Sequence, residues 1–307
     1  MDRAILRQVL LTGLDDIDHY GNPYVSYESH ENGVTTILAD GSRVTGDVLV
    51  GADGVRSAIR QQRAPHAQTM DTGVRCIYGH LPASEARRLA PKQVVADVFT
   101  FSSDERNVLL GMGGGLYPIE RGAASKCLVP ESKLPERQDY VACIVATHPL
   151  FIGKNDSEMS KLSSHELQAL AIELTKAWPE ESNALASAGD PGAFYYIEMY
   201  SSILCDLGYS PNVTLVGPAA KTMSPSLGRG ANVTLRDAAN LGRHLMAVNK
   251  GDFALAEALS IYEKDMVEYG FEVVRNTVKK EPWSLARTLC LNIGTPLDKL
   301  RRRSPEA

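Results

Sequence analysis

The reading of this chain turns on Asp47-Val-Leu-Val-Gly-Ala-Asp-Gly-Val-Arg-Ser57. Val48, Leu49 and Val50 make a short apolar run typical of a strand buried on both faces. Gly51 to Gly54 then forms a tight strand-to-helix turn, and Val55 to Gln62 reads as a short helix. A second stretch, Val213 to Leu241, has the same logic. A strand ends at Gly217, a loop carries Pro225, Gly228 and Gly230, and a helix starts near Asn232. Glycines let the backbone approach a ligand closely, and a helix start offers unpaired N–H groups to an anion or a carbonyl.

The rest of the chain can be placed around these two stretches. Residues 1–14 put Ile5, Leu6, Val9, Leu10 and Leu14 on one helical face that stops near Gly13. Strands are expected at Tyr24–Ser29 and Gly33–Leu38, with a hairpin turn at Asp40-Gly41. Apolar segments at 73–81, 94–102, 107–112 and 125–130, separated by turn formers, predict an antiparallel sheet. Helical periodicity is read at 137–147 and 164–178, the latter opened by a capping box from Ser163 to Glu166. A strand at 194–200 follows, and Phe253–Lys279 is a long helix.

In this order the motifs resemble the FAD-dependent monooxygenases of the aromatic hydroxylase class. Gly51, Asp53, Gly54, Arg56 and Ser57 match that family's DG motif. Gly217, Ala219, Ala220, Pro225, Gly228, Gly230, Asn232, Asp237 and Ala238 match its second flavin-contacting region. Gly115-Leu-Tyr-Pro-Ile119 is similar to its sheet segment, and Asp2-Arg3-Ala4-x-Leu6 to its leading Arg-x-x-Leu helix. The resemblance implies an α/β (α+β) fold: an incomplete doubly wound sheet, an antiparallel substrate-domain sheet and long C-terminal helices. It divides the chain into 1–70, a remnant of the FAD-binding domain, 71–205, the substrate domain, and 206–307, the remaining FAD-type segment with the terminal helices.

Two departures bear on function. The family opens with a βαβ unit of roughly 30 residues carrying G-x-G-x-x-G, and no such spacing occurs here. The resemblance implies that this chain starts about a hundred residues into the family pattern. The apolar sheet edges left by a missing strand would then be covered by helix 1–14, by a homodimer contact or by a partner chain. Independently, the family's ribityl-gripping aspartate is replaced by Pro218, which has no carboxylate and no N–H. The usual His is Lys221, and the usual Glu is Arg236.

Composition narrows the partners. With 32 basic against 37 acidic side chains, net −5, the chain lacks the basic surface a nucleic-acid binder needs. A hydrophobic fraction of 44% argues for a packed core. No run approaches the roughly 18 apolar residues of a membrane span, so a cytoplasmic protein without membrane contact is expected. Cys76, Cys127, Cys143, Cys205 and Cys290 form no CxxC, and the histidines have no metal-ligand spacing; free thiols and no metal site follow.

The expected ligand is a hydrophobic small molecule in the cavity that the family keeps between its antiparallel sheet and the 225–232 loop. Asp97 shares a strand face with Val95, Phe99 and Phe101, and Glu198 one with Phe194, Tyr196 and Tyr200. An acid desolvated among aromatics can act as a proton donor. Lys221 and Arg229 flank the glycine loop as groups to polarise a carbonyl. The catalytic candidates are therefore Asp97, Glu198, Lys221 and Arg229, with Tyr78, Phe99, Tyr117, Tyr200 and Pro225 as substrate walls. The leading expectation is a cofactor-independent enzyme that cyclises or rearranges a natural-product intermediate, pericyclic reactions of the Diels–Alder type included. The alternatives are an FAD- and NAD(P)H-dependent hydroxylase, with FAD held through Arg3, Asp53, Gly228, Gly230 and Asn232, and a non-catalytic ligand carrier or accessory subunit.

Overall fold

A computed structural model describes residues 3–90, 99–104, 108–116, 138–223 and 228–280. The chain separates into two compact units: residues 1–20 with 74–198, and residues 21–73 with 199–307. Helix α1 (Arg3–Leu11) opens the chain. Strands β1 (Tyr24–His30), β2 (Gly33–Leu38) and β3 (Arg43–Gly46) form an antiparallel sheet in that order. Its second turn is the one expected at Asp40-Gly41. Gly41 takes φ +83° and the Asp40 carboxylate accepts from Ser42 N.

Strand β4 (Leu49–Gly51) leads into helix α2 (Ala58–Arg63). The helix begins later than the apolar pattern suggests, because Ser57 is its N-cap and accepts from Arg60 N. Strand β5 (Thr69–Pro82) follows, then helix α3 (Ala83–Leu89) and strands β6 (Thr100–Ser103), β7 (Leu109–Gly115) and β8 (Tyr140–Thr147). The expected strand at 125–130 lies outside the described residues.

The helix expected at 137–147 is corrected here: Tyr140–Thr147 is a strand. Its sequence, YVACIVAT, is a short apolar run rich in β-branched and small residues, for which helical and strand periodicity give the same reading. Tertiary pairing decides it, since β8 is hydrogen-bonded to β5 on one side and β7 on the other.

Short helices α4 (Pro149–Ile152) and α5 (Asp156–Met159) precede α6 (Ser164–Leu174) and α7 (Glu180–Ser187). The capping box of α6 is present as expected, Ser163 accepting from Glu166 N while the Glu166 carboxylate accepts from Ser163 N. Strand β9 (Tyr195–Ser202) completes a five-stranded sheet in the order β6-β7-β8-β5-β9. One face of that sheet, with Ile77, Leu81, Leu110, Met112, Val141, Cys143 and Val145, is buried in a core shared with Ala86, Leu167, Ala171, Leu185 and Phe194 of the helical layer. Burial pushes the Cys76 and Cys143 thiols up to about 12, so both are inert protonated side chains.

In the other unit, β10 (Val213–Leu215) pairs in parallel with β4. Helices α8 (Gly230–Lys250) and α9 (Leu255–Lys280) follow. Val213, Leu215, Ala219, Leu241, Leu259, Tyr262 and Met266 form this unit's core, with Ile59 of α2 against it. Tyr262 is fully buried and its hydroxyl donates to the Leu215 carbonyl, which ties α9 to the strand. Among the described residues no helix is long and apolar enough to cross a membrane, and no group of His, Cys, Asp and Glu is placed to hold a metal.

The buried Arg75 guanidinium grips Asp156 through two bonds, Nε at 2.6 Å and Nη2 at 2.8 Å, and the Tyr196 hydroxyl donates to the same carboxylate. The Arg75 bonds, with Tyr196 assisting, hold Asp156 down at about 2 against an ordinary 3.8. Because the folded value is the lower one, this stabilisation is complete above pH 3.8 and disappears as pH falls toward 2. Acid unfolding should therefore shift for Asp156→Asn: the variant is expected to be less stable at neutral pH and to lose little more between pH 4 and 2, measured by circular dichroism. Equal acid sensitivity in both proteins would remove Asp156 from the account.

Candidate functional site

Strand β10 and helix α2 meet at a turn that the sequence makes unusual. Gly217 has φ +57°, and a Cβ there would lie 2.7 Å from the Thr234 side chain, so only glycine fits. Its N–H donates to Asp237 Oδ2 at 3.1 Å. The same oxygen accepts from Lys221 Nζ at 2.6 Å, and both side chains are almost wholly buried. Burial drives Lys221 below the usual ammonium range and Asp237 above the usual carboxylate range, and each charge opposes the other's shift. The lysine stem crosses Gly270 of α9 so closely that a Cβ there would fall 1.8 Å from Lys221 Cε.

Lys221 is therefore an internal ion-pair partner and does not present its ammonium to a ligand, which corrects the carbonyl-polarising role expected for it. The expectation failed because a lysine beside a glycine loop usually lies on the surface, and only α8 and α9 together supply its burial.

The DG turn is equally self-contained. Asp53 Oδ2 accepts from Ala58 N at 2.8 Å and Ile59 N at 3.2 Å at the start of α2, while its Oδ1 accepts from the hydroxyl of the N-cap Ser57. From that helix Arg60 donates to the carbonyls of Ala219 at 3.0 Å and Pro218 at 3.4 Å, and to Val55 O at 2.8 Å. Arg63, one turn on, donates to Val213 O, Leu207 O and Gly208 O and pairs with Glu263. Sequence reasoning passed over both arginines. Their spacing of three residues on one short helix face was the available signal.

At the other end of the loop, Gly228 has φ +62° with open space where a Cβ would be, and Arg229 is the N-cap of α8 with no side-chain cap bond. Arg229 and Asn232 are exposed. Pro225 lies outside the described residues, as do Asp97 and Tyr117. Arg3 is the first residue of α1.

The sheet unit sorts its expected residues onto two faces. Gly111, Ile144 and Tyr78 are in register across β7, β8 and β5. Phe99, 45% exposed, lies against Gly111, where a Cβ would be 2.9 Å from its ring. Tyr195 packs on Tyr78 at 5.1 Å between ring centroids. Phe99, Ile144, Tyr78 and Tyr195 thus make an aromatic-rich row on the face turned away from the helical core. Tyr195 was not among the expected residues, though its alternation with Phe194 and Tyr196 carries the signal.

Glu198 alternates instead with Tyr196, whose ring packs against that core and whose hydroxyl goes to Asp156. It therefore does not share a face with Tyr78 and Phe99, and its expected place in a common cavity with them is corrected. Tyr200 is half-buried in the other unit. A surface groove of about 740 Å³ along residues 204–210 and 260–268 contains none of the expected residues.

Residues 163–277 match the family model described as FAD binding domain. The chain is 32% identical over 270 residues to the dual O-methyltransferase/FAD-dependent monooxygenase elcB of Phaeosphaeria nodorum, covering 79% of this chain and 28% of that protein. It is 29% identical to the dual O-methyltransferase/FAD-dependent monooxygenase CTB3 of Cercospora beticola, covering 87% of this chain and 32% of the relative. The chain thus spans about a third or less of these relatives. A crystal structure from Photorhabdus luminescens subsp. laumondii TTO1, of a candidate FAD containing monooxygenase, superposes with a TM-score of 0.77 at 26% identity, covering 94% of this chain and 74% of that one.

Removing Lys221 alone leaves the Asp237 carboxylate buried without its cation. Lys221→Met should cost about 3–5 kcal/mol in urea unfolding, whereas adding Asp237→Asn should recover much of it. Simple additivity of the two changes would show that the pair is not coupled.

Proposed function

We propose that the chain works as the substrate-binding and flavin-contacting part of an FAD-dependent monooxygenase of the aromatic hydroxylase type, acting on a hydrophobic natural-product intermediate; the match of residues 163–277 to an FAD binding domain and the likeness to FAD-dependent monooxygenases support this reading. The observation that carries this reading is the turn at Gly228, which opens onto the start of α8 without a side-chain cap. A 21-residue helix with an uncapped start stabilises a partly negative carbonyl there. Gly228, Gly230 and Asn232 are the residues that would hold a flavin ring, with the Asp53 turn supporting the strand beside them. The fit is incomplete at Pro218, where the family's carboxylate is absent.

A bound flavin reduced by NAD(P)H supplies the oxygen-activating redox chemistry. The chain's own task is to bind and orient an apolar substrate, and the row of Phe99, Ile144, Tyr78 and Tyr195 suits a flat aromatic molecule. A cofactor-independent cyclase or isomerase on the same scaffold is the second reading, favoured by Pro218 and by the inward-turned polar groups around it. Mass analysis separates the two. The flavin reading expects a product heavier by one oxygen, formed only when FAD and NAD(P)H are supplied; a product isomeric with the substrate, formed without them, would establish the cyclase.

Phe99→Ala is expected to raise KM roughly ten-fold with a smaller change in kcat, since burying a phenyl group against an apolar partner contributes about 1.5–3 kcal/mol. A change confined to kcat would place Phe99 outside substrate binding.

A further inference from the structure

The turn from Gly217 to Thr222 spends its polar groups on the protein itself. Gly217 N donates to Asp237, and Gly217 O accepts from Ala220 N and Lys221 N. The Pro218 carbonyl accepts from Arg60 and from the Thr222 hydroxyl at 3.0 Å, and the Ala219 carbonyl from Arg60. Thr222 N donates to Ser202 Oγ at 2.7 Å. Lys221 Nζ is held on Asp237.

Two acids of the same unit are likewise engaged, Asp53 at the start of α2 and Asp237 with Lys221 and Gly217. Pro218 adds a ring without a donor or a charge. At position 218 itself a hydroxylated chain would meet no carboxylate side chain, and hydrogen bonds to a carboxylate are the strong ones for a hydroxyl. The start of α8, by contrast, has no side-chain cap of its own.

We propose that this chain holds its flavin as an exchangeable ligand, gripped at the ring end and not along the ribityl chain, and that residue 218 sets the lifetime of the complex. The proposal rests on the flavin reading above and adds to it the mode of binding. Residue 218 acts as a positioning residue, without touching the reacting atoms. The buried Lys221–Asp237 pair keeps the turn in shape when no ligand is present, so flavin can leave and return without unfolding the segment.

The test titrates FAD into the 307-residue chain and into Pro218→Asp, Pro218→Asn and Pro218→Ala, following flavin fluorescence, with bound flavin measured again after desalting. Circular dichroism checks that each variant is folded. The parent is expected to saturate in the titration and to lose its flavin on desalting. Pro218→Asp should bind roughly ten-fold tighter or more and retain flavin, as a charge-assisted bond predicts. Pro218→Asn should fall between, and Pro218→Ala should stay near the parent.

If Pro218→Asp does not fold, Pro218→Asn against Pro218→Ala makes the same comparison. A parent that keeps stoichiometric flavin through desalting overturns the proposal and leaves the flavin reading standing. So does an acid or amide variant no tighter than Pro218→Ala. Absence of flavin binding in the parent and every folded variant overturns the flavin reading together with the proposal.

Discussion

One carboxylate oxygen, Asp237 Oδ2, accepts from the Lys221 ammonium and from the Gly217 N–H. That shared contact joins the end of strand β10, the turn after it and the second turn of helix α8. Neither charge is tolerable alone at this depth, so the three segments form together or not at all. Gly270 belongs to the same arrangement, because any side chain there would displace the lysine. The pair is costly to bury and costly to break, and it holds Gly217 in its left-handed conformation without help from a ligand.

The two arginines of α2 complete the framework from the other side. Arg60 draws in the carbonyls of Pro218 and Ala219, and Arg63 those of Val213, Leu207 and Gly208. A short helix that would be marginal in isolation is thereby fixed by charged bonds to backbone carbonyls. On α8 and α9, Arg236 stacks over Tyr269 at 3.5 Å and approaches Asp265. Two of the three positions that depart from the resembled pattern, 221 and 236, therefore carry contacts within the protein, and the third, Pro218, accepts two through its carbonyl.

Much of the fold was legible because local signals and packing agree. The Asp40-Gly41 turn, the Ser163 capping box, the strand at 195–202 and the two long helices each rest on a pattern that tertiary structure has no reason to override. The segment 140–147 was misread because a buried strand of small and β-branched residues has no polar face to reveal its period. The candidate site was less legible. Strand alternation sets Glu198 on the side of Tyr196, yet which face of the sheet meets the helices is decided by α6 and α7, far along the chain. Lys221 was misread for the same kind of reason, since its burial depends on Gly270, some fifty residues away.

By itself the sequence determined the likeness to FAD-dependent monooxygenases, the α/β class and the two glycine turns, since these depend on backbone conformations that only particular residues adopt at particular spacings. The tertiary structure alone decided which polar groups remain free. A carboxylate, an ammonium or a carbonyl is available to a ligand only if nothing nearer has claimed it: Asp53 is engaged locally by the start of α2, Asp237 and Lys221 engage each other from separate elements, and the Pro218 carbonyl is reached by Arg60 from far along the chain. Hydrogen-bond capacity is a property of the folded neighbourhood, and no motif records how it has been spent.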